Sequence, residues 1–313
     1  METPVYVING FLDSGKTSFS MFTIKQDYFS DGTKTLLIVC EEGEEEYDEA
    51  ALLKHNVVKV VIEEEENFTE EYLNEMKQIH SPDRVIIEYN GMWKTSELLK
   101  MNFPKEWEVV QIISLIDAST YEVYSNNMKS LIMDTVRESD MVIFNRATKD
   151  MRIADYRRSI KAVNRTTEVV FETGDGELGE IIEELPFDIM QDTIEIEDYD
   201  YGIWYMDAME HPEKYKEKTV KFNAMVLKPE TFKPEIFVPG RMAMTCCADD
   251  TTFIGFICNA GETAKELKTK QWVSVTAKIR VEFQKEYKGK GPVLYAENID
   301  IIKKLEDELV YFN

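Results

Sequence analysis

The clearest chemistry near the start of the chain lies in GFLDSGKT, Gly10 to Thr17. The spacing satisfies G-x-x-x-x-G-K-[ST], a loop whose backbone N–H groups close around phosphate oxygens. Glycines let the backbone approach that closely. A lysine at position 16 reaches the β- and γ-phosphates, and a hydroxyl at Thr17 ligates Mg²⁺. A helix beginning there turns the positive end of its dipole toward the same anion. Gly10, Asp13, Ser14, Gly15, Lys16, Thr17 and Ser18 are therefore the predicted phosphate-binding set, with GTP or ATP and Mg²⁺ as the implied ligands.

Such a loop needs an acidic residue at a second strand end to hold Mg²⁺ or a water. RVIIEYNG supplies Glu88 directly after an apolar run, with Gly91 three residues on. Lys16 and Glu88 are the predicted catalytic pair. IVCEEGEEEYDEA follows the second apolar run, where a nucleotide-sensing segment would sit. Glu41, Glu42 and Glu44 are candidates there for a metal or water contact, with Thr17, Glu41 and Glu88 as the expected Mg²⁺ set. A solvated acidic face is the other reading of these charges.

The elements that must position these residues are legible as an alternation. PVYVIN, TKTLLIVC, VVKVVI, DRVIIEY, VVQIISLID, DMVIFN and TEVVFE are short apolar runs rich in Val and Ile. Their lack of strict alternation suits strands covered on both faces. Amphipathic stretches such as TEEYLNEMKQIH and NNMKSLIMDTVRES separate them. The predicted fold class is α/β, a P-loop NTPase parallel sheet with helices on both faces. From Thr219 the texture becomes β-rich, in TVKFNAMVL, RMAMTCC, TFIGFIC, QWVSVTAKIRVEF and VLYAENIDIIKK. Five such runs predict a small C-terminal all-β, OB-like barrel. The expected domains are 1–190, an acidic helical connector 191–218, and 219–313.

Charge divides the chain in the same way. Residues 219–313 carry 14 Lys and Arg against 13 Asp and Glu, so residues 1–218 hold 22 against 47. An acidic first module repels nucleic-acid phosphates, so no nucleic-acid partner is expected. No run of about 18 apolar residues predicts a membrane helix, and the first residues lack a basic leader, so the expected location is the cytoplasm. Four cysteines in 313 residues do not make a disulfide framework. The oligomeric state is not legible.

The order of these motifs resembles the CobW family of GTPases, relatives of the urease and hydrogenase nickel-insertion GTPases. GFLDSGKTS is similar to that family's GFLGAGKTT, and CEEGEEEYD to NEFGEVGID through Glu41, Gly43, Glu44 and Asp48. EYNG matches E-x-S-G through Glu88 and Gly91, and IDA at Ile116–Ala118 matches VDA. NRAT, from Asn145 to Thr148, stands where the family has the base-recognising NKxD, so Asn145 and Arg146 join the expected nucleotide contacts. Thr148 replaces the aspartate that accepts from guanine, which leaves guanine and adenine both open, with Asp150 as the nearby substitute carboxylate. The family's Cys-x-Cys-Cys metal motif is absent, since the comparable stretch reads IEEEENFT. Soft thiolate ligation at that place is excluded. Glu63 to Glu66 are either a solvated strand exit or a hard-cation site.

The C-terminal part resembles the soluble domain of YcgQ-type permease subunits through CCAD at Cys246–Asp249 and WVSVTA at Trp272–Ala277. Two readings of Cys246 and Cys247 remain open. With Asp249, Asp250 and Cys258 they can hold Zn²⁺ or another transition metal, or they are small buried hydrophobes. The resemblances imply nucleoside-triphosphate hydrolysis, GTP above all, coupled to metal handling or delivery. The alternative is a non-hydrolysing nucleotide-binding adaptor for a permease or metal-homeostasis partner.

Overall fold

The computed structural model describes residues 2–29, 31–174, 176–177, 185–244 and 251–312. It forms two compact units, Met1–Ile153 with Val163–Ile181, and Ala154–Ala162 with Ile182–Asn313.

The first unit is built on β1 (Thr3–Asn9), α1 (Lys16–Ile24), β2 (Thr35–Val39), α2 (Glu49–Lys54), β3 (Val57–Val61), α3 (Glu70–His80), β4 (Arg84–Glu88), α4 (Thr95–Leu98), β5 (Trp107–Asp117), α5 (Tyr121–Asn127), α6 (Lys129–Arg137) and β6 (Met141–Asn145). After α7 (Ile153–Val163) come β7 (Glu168–Thr173) and β8 (Gly176–Glu177). Seven strands pair in parallel in the order β3-β2-β4-β1-β5-β6-β7, and β8 adds antiparallel to β7. All seven apolar runs are strands of this sheet. β2 and β4 are buried along their whole length, as covered parallel strands require, and the outer strands β3 and β7 are only partly buried. Apolar residues from β1, β2 and β4 feed two separate cores, one with Val5, Leu36 and Val85, the other with Ile8, Leu37 and Ile86. This is the alternation of side chains across a strand expressed as two layers.

Register brings the chemistry to one edge. Ile8 lies opposite Glu88, Asn9 opposite Ser114, Val39 opposite Glu88 and Asp117 opposite Asn145. The loops after β1, β2, β4, β5 and β6 therefore emerge together at the carboxyl end of the sheet. The chain leaves β1 toward β2 and leaves β5 toward β6, in opposite directions. That reversal is where open α/β sheets place their ligands.

The second unit contains β9 (Thr193–Glu195), α8 (Tyr201–Glu210), β10 (Thr219–Leu227), β11 (Ile236–Met244), β12 (Thr251–Gly255), β13 (Ile257–Asn259), α9 (Thr263–Glu266), β14 (Trp272–Gln284), β15 (Gly289–Ile301) and β16 (Leu309–Val310). Strands β10, β11, β13, β15 and β14 each pair with the next, and β14 returns to β10, closing a five-stranded barrel. The β13–β15 pairing is parallel and the others antiparallel, so the OB-like barrel expected from sequence is present. TFIGFIC is two strands rather than one, since β12 and β13 both pair with β11 on either side of Phe256. Residues 191–218 supply β9, which pairs with β10, and α8, whose Tyr201, Trp204, Met206 and Met209 enter the barrel core. The helix expected in the connector 191–218 is α8, which ends at Glu210. Pro212 lacks the N–H that continuation would need, and a 3₁₀ turn follows.

Among the described residues no helix is long and apolar enough to cross a membrane.

Candidate nucleotide-binding site

Strand β1 ends at Asn9, whose side-chain oxygen accepts from Gly10 N–H at 2.7 Å and whose amide donates to Thr95 at 2.6 Å. The loop then runs to Gly15, and α1 starts at Lys16. Gly15 has φ +91°, and a Cβ there would stand 2.7 Å from the Asn145 amide nitrogen. On the facing loop a Cβ at Gly91 would come within 2.2 Å of the Gly10 carbonyl oxygen. Both glycines are thus required by conformation or close approach. Asn145, at the end of β6, donates to Ser14 O at 2.5 Å and ties the loop to the sheet. Arg146 donates to Asp13 O at 3.0 Å and to Asp117 at 2.6 Å.

Lys16 is 4% exposed. Its ammonium donates to Gly10 O at 2.8 Å, Phe11 O at 3.0 Å and Glu41 Oε2 at 2.8 Å. Glu41 therefore sits on the lysine. Thr17 donates its hydroxyl to Glu88 Oε1 at 3.1 Å, and Tyr47 donates to Glu88 Oε2. Ser18 donates to Glu45. Burial pushes the Glu88 carboxyl above the usual glutamate range, against the opposing pull of the Tyr47 hydroxyl, the Lys16 charge and the Thr17 hydroxyl. Asp117 is held below the usual range. Burial pushes it up, but the Ser119 hydroxyl and N–H and the Arg146 guanidinium outweigh that.

Leu12, Asp13, Gly15 to Thr17, Glu41, Gly43 to Glu45, Glu88, Asp117 and Arg146 enclose a cavity of about 340 Å³. A second, mostly apolar cavity of about 230 Å³ lies between the loop, the end of β5 and helices α5 and α6. The predicted residues Gly10, Asp13, Ser14, Gly15, Lys16, Thr17, Ser18, Glu41, Glu88, Asn145 and Arg146 are all at this edge of the sheet. Glu42 and Glu44 belong to the same acidic segment, with Glu42 3.9 Å from Lys59 and Glu44 on the cavity wall. Thr148 and Asp150 are exposed beyond β6, and a Thr148 hydrogen bond lowers the Asp150 carboxyl.

The loop fits a phosphate group. A cradle that admits no Cβ surrounds it, and the Ser14 hydroxyl is buried with no partner. The hydroxyl of Thr17 and the carboxylate of Glu88 are hard oxygen donors of the kind Mg²⁺ takes. Thr17 keeps lone pairs for a cation while donating its proton. Two neighbours escaped the sequence reading. Tyr47 is hidden in an acidic run as an ordinary aromatic. Asp117 stood in IDA without a role, and only the β5–β6 register brings it to Arg146.

Cys246 and Cys247, with Asp249 and Asp250, lie outside the described residues. Cys258 is fully buried in the barrel core opposite Phe237, and burial pushes its thiol up. Cys40 is likewise a buried residue of the sheet core. Glu63 to Glu66 are exposed. Among the described residues no group of three or more His, Cys, Asp or Glu side chains is placed to hold a metal ion.

Sheet order, glycine loop and acidic strand end together define a P-loop NTPase fold. More particularly, residues 4–171 match the family described as CobW/HypB/UreG, nucleotide-binding domain, and the chain belongs to that family. Residues 176–312 match the DUF1980 C-terminal domain. Similar solved structures include Zn(II)-bound YjiA GTPase from E. coli, 14% identical, covering 82% of this chain and 89% of that one with a TM-score of 0.44. Hydrogenase maturation factor HypB from Archaeoglobus fulgidus is 13% identical, covering 55% and 81%, at 0.40. HypB from Helicobacter pylori in complex with nickel is 13% identical, covering 55% and 80%, at 0.34. No curated protein matches the chain.

Proposed function

We propose that the first unit binds a Mg²⁺–nucleoside triphosphate, GTP by family, hydrolyses it, and couples that cycle to metal handling or delivery by the second unit. The supporting observation is the convergence of Lys16, Thr17 and Glu88 on one cavity beneath a glycine loop. Lys16 and the loop amides would bind the phosphates, Thr17 would hold Mg²⁺, and Glu88 would orient the ion or a water. Mg²⁺ would supply charge neutralisation when bound. Asn145 and Arg146 would border the base. Cys246 and Cys247 would hold Zn²⁺ or a similar ion. The metal role draws on family membership, and a client protein is part of the same proposal. Cytoplasmic location is also proposed.

A second reading is a nucleotide-binding adaptor without turnover, serving a permease or metal-homeostasis partner. The observation favouring it is that Lys16 is engaged by Glu41, together with the threonine at position 148.

Thermal stabilisation by GTPγS, ATPγS and Zn²⁺, alone and in pairs, tests the proposal on wild type and Lys16→Ala. Stabilisation by nucleotide, lost in the variant, supports binding, and synergy with Zn²⁺ measures coupling. Absence of any nucleotide effect overturns both readings. Phosphate release from GTP or ATP, absent in Lys16→Ala, decides between them.

A further inference from the structure

Tyr47 lies between β2 and α2, and nothing in its residue type announces a role. Its ring is 8% exposed and packs in the core with Met21, Leu52 and Ile86. The backbone just beyond it is pinned, because Asp48 caps α2 by accepting from Ala50 N–H at 3.0 Å and Ala51 N–H at 3.1 Å. Lys59 sits 5.7 Å from the ring centre and pairs with Glu49 at 2.9 Å. The phenol is thus delivered by a fixed frame to one place, Oε2 of Glu88.

Glu88 is 1% exposed, and its two oxygens have different partners. Oε1 accepts from Thr17 and Oε2 from Tyr47. The terminal torsion of a glutamate is broad and two-fold, so one hydrogen bond alone does not define the carboxylate plane. Two bonds, one to each oxygen, do. Without the phenol, Oε2 becomes a buried acceptor with one fewer donor, and the carboxylate turns to recover one.

We propose that Tyr47 is a positioning residue that orients the Glu88 carboxylate for Mg²⁺ bound beside Thr17. This rests on the nucleotide-binding reading above. Tyr47 touches neither phosphate nor metal in this role, and acts through Glu88, as outer partners of metal ligands do. The same hydroxyl ties the segment after β2 to the end of β4, two stretches adjacent only in the fold.

The test uses the full chain and a fluorescent GTP analogue titrated with Mg²⁺, and again in EDTA. Tyr47→Phe is expected to bind the metal-free analogue as wild type does, but to need about tenfold more Mg²⁺ for the metal-dependent gain. With Mn²⁺ in place of Mg²⁺, the electron paramagnetic resonance spectrum of the ternary complex should differ from wild type. In a double-mutant cycle, Tyr47→Phe should add no further Mg²⁺ requirement to Glu88→Gln. Tyr47→Leu, which also lacks the hydroxyl, is the second variant should Tyr47→Phe fold poorly, and should behave alike. A wild-type Mg²⁺ requirement in these variants, or additivity with Glu88→Gln, overturns the inference alone. No binding by wild type overturns the nucleotide reading and this inference with it.

Discussion

Both units bury charge, and they do so differently. In the first, Lys16 and Glu88 line a cavity, and part of their satisfaction comes from side chains of the segment after β2, Glu41 and Tyr47. In the second, Arg241 is 1% exposed and is held by Asp307 O at 2.5 Å, Asp198 at 3.3 Å and Glu308 O at 3.5 Å, with its guanidinium 5.4 Å from the Trp272 ring centre. Nearby in sequence to the barrel strands, Asp207 takes hydrogen bonds from Tyr215 and from Lys214 at 3.0 Å. Backbone carbonyls are partners a chain cannot withdraw without unfolding locally. A glutamate from a loop is a partner that a competing anion can replace. The first arrangement suits a ligand site, and the second suits a structural lock.

Removing each buried cation separates the two arrangements most sharply. Lys16→Ala should weaken triphosphate binding at least about thirtyfold, measured by calorimetric titration, while the fold is retained. Arg241→Ala should instead cost about 2–4 kcal/mol of stability, leaving the Asp307 and Glu308 carbonyls and Asp198 without their donor. Scanning calorimetry would read this as a melting transition lowered by about 5–10 °C. Equal stability losses in the two variants would erase the contrast.

Glu88→Gln gives the next effect, a few degrees in melting temperature. The folded Glu88 carboxyl lies above its ordinary value of 4.5. The folded state therefore binds more protons than the unfolded state in that window, and wild-type stability falls as pH rises through it. The glutamine variant lacks this loss. In EDTA without nucleotide it should melt higher than wild type, with a gap that opens as pH rises above about 4.5 and then levels. A gap that closes with rising pH would mean Glu88 is stabilised as the anion. The smallest effect is expected for Glu41→Gln. Freed of a charged competitor, Lys16 should bind triphosphate about two- to fivefold more tightly at low salt, less at high salt. Weaker Mg²⁺-dependent binding in that variant would instead support Glu41 as a member of the Mg²⁺ set read from the sequence.

Much of this candidate site is legible in the sequence. Lys16 and Thr17 were readable from the G-x-x-x-x-G-K-[ST] spacing, and Glu88 because it ends an apolar run of the kind a covered strand has. Tyr47 was not, since a tyrosine in EEEYDEA carries no spacing signal and its partner is 41 residues away. Residues 191–218 were read as a connector because their acidic, aromatic texture resembles neither module, yet α8 places Trp204 at 0% exposure among barrel residues. Its apolar residues are distributed nearly all round the helix, and a pattern without a polar face gives no hint of its partner. Cys258 illustrates the reverse: nearness in sequence to Cys246 and Cys247 suggested a cluster, and pairing with β11 places it in the core.

What the sequence by itself determined is local: a glycine loop with φ values few residues tolerate, strands rich in β-branched residues, and two modules of different charge. These follow from properties each residue carries with it. What only the tertiary structure decided is which side chains share a hydrogen bond. Lys16 with Glu41, Tyr47 with Glu88 and Asp117 with Arg146 depend on strand order and register, and a one-residue slip of β4 or β5 would turn Glu88 or Asp117 to the opposite face.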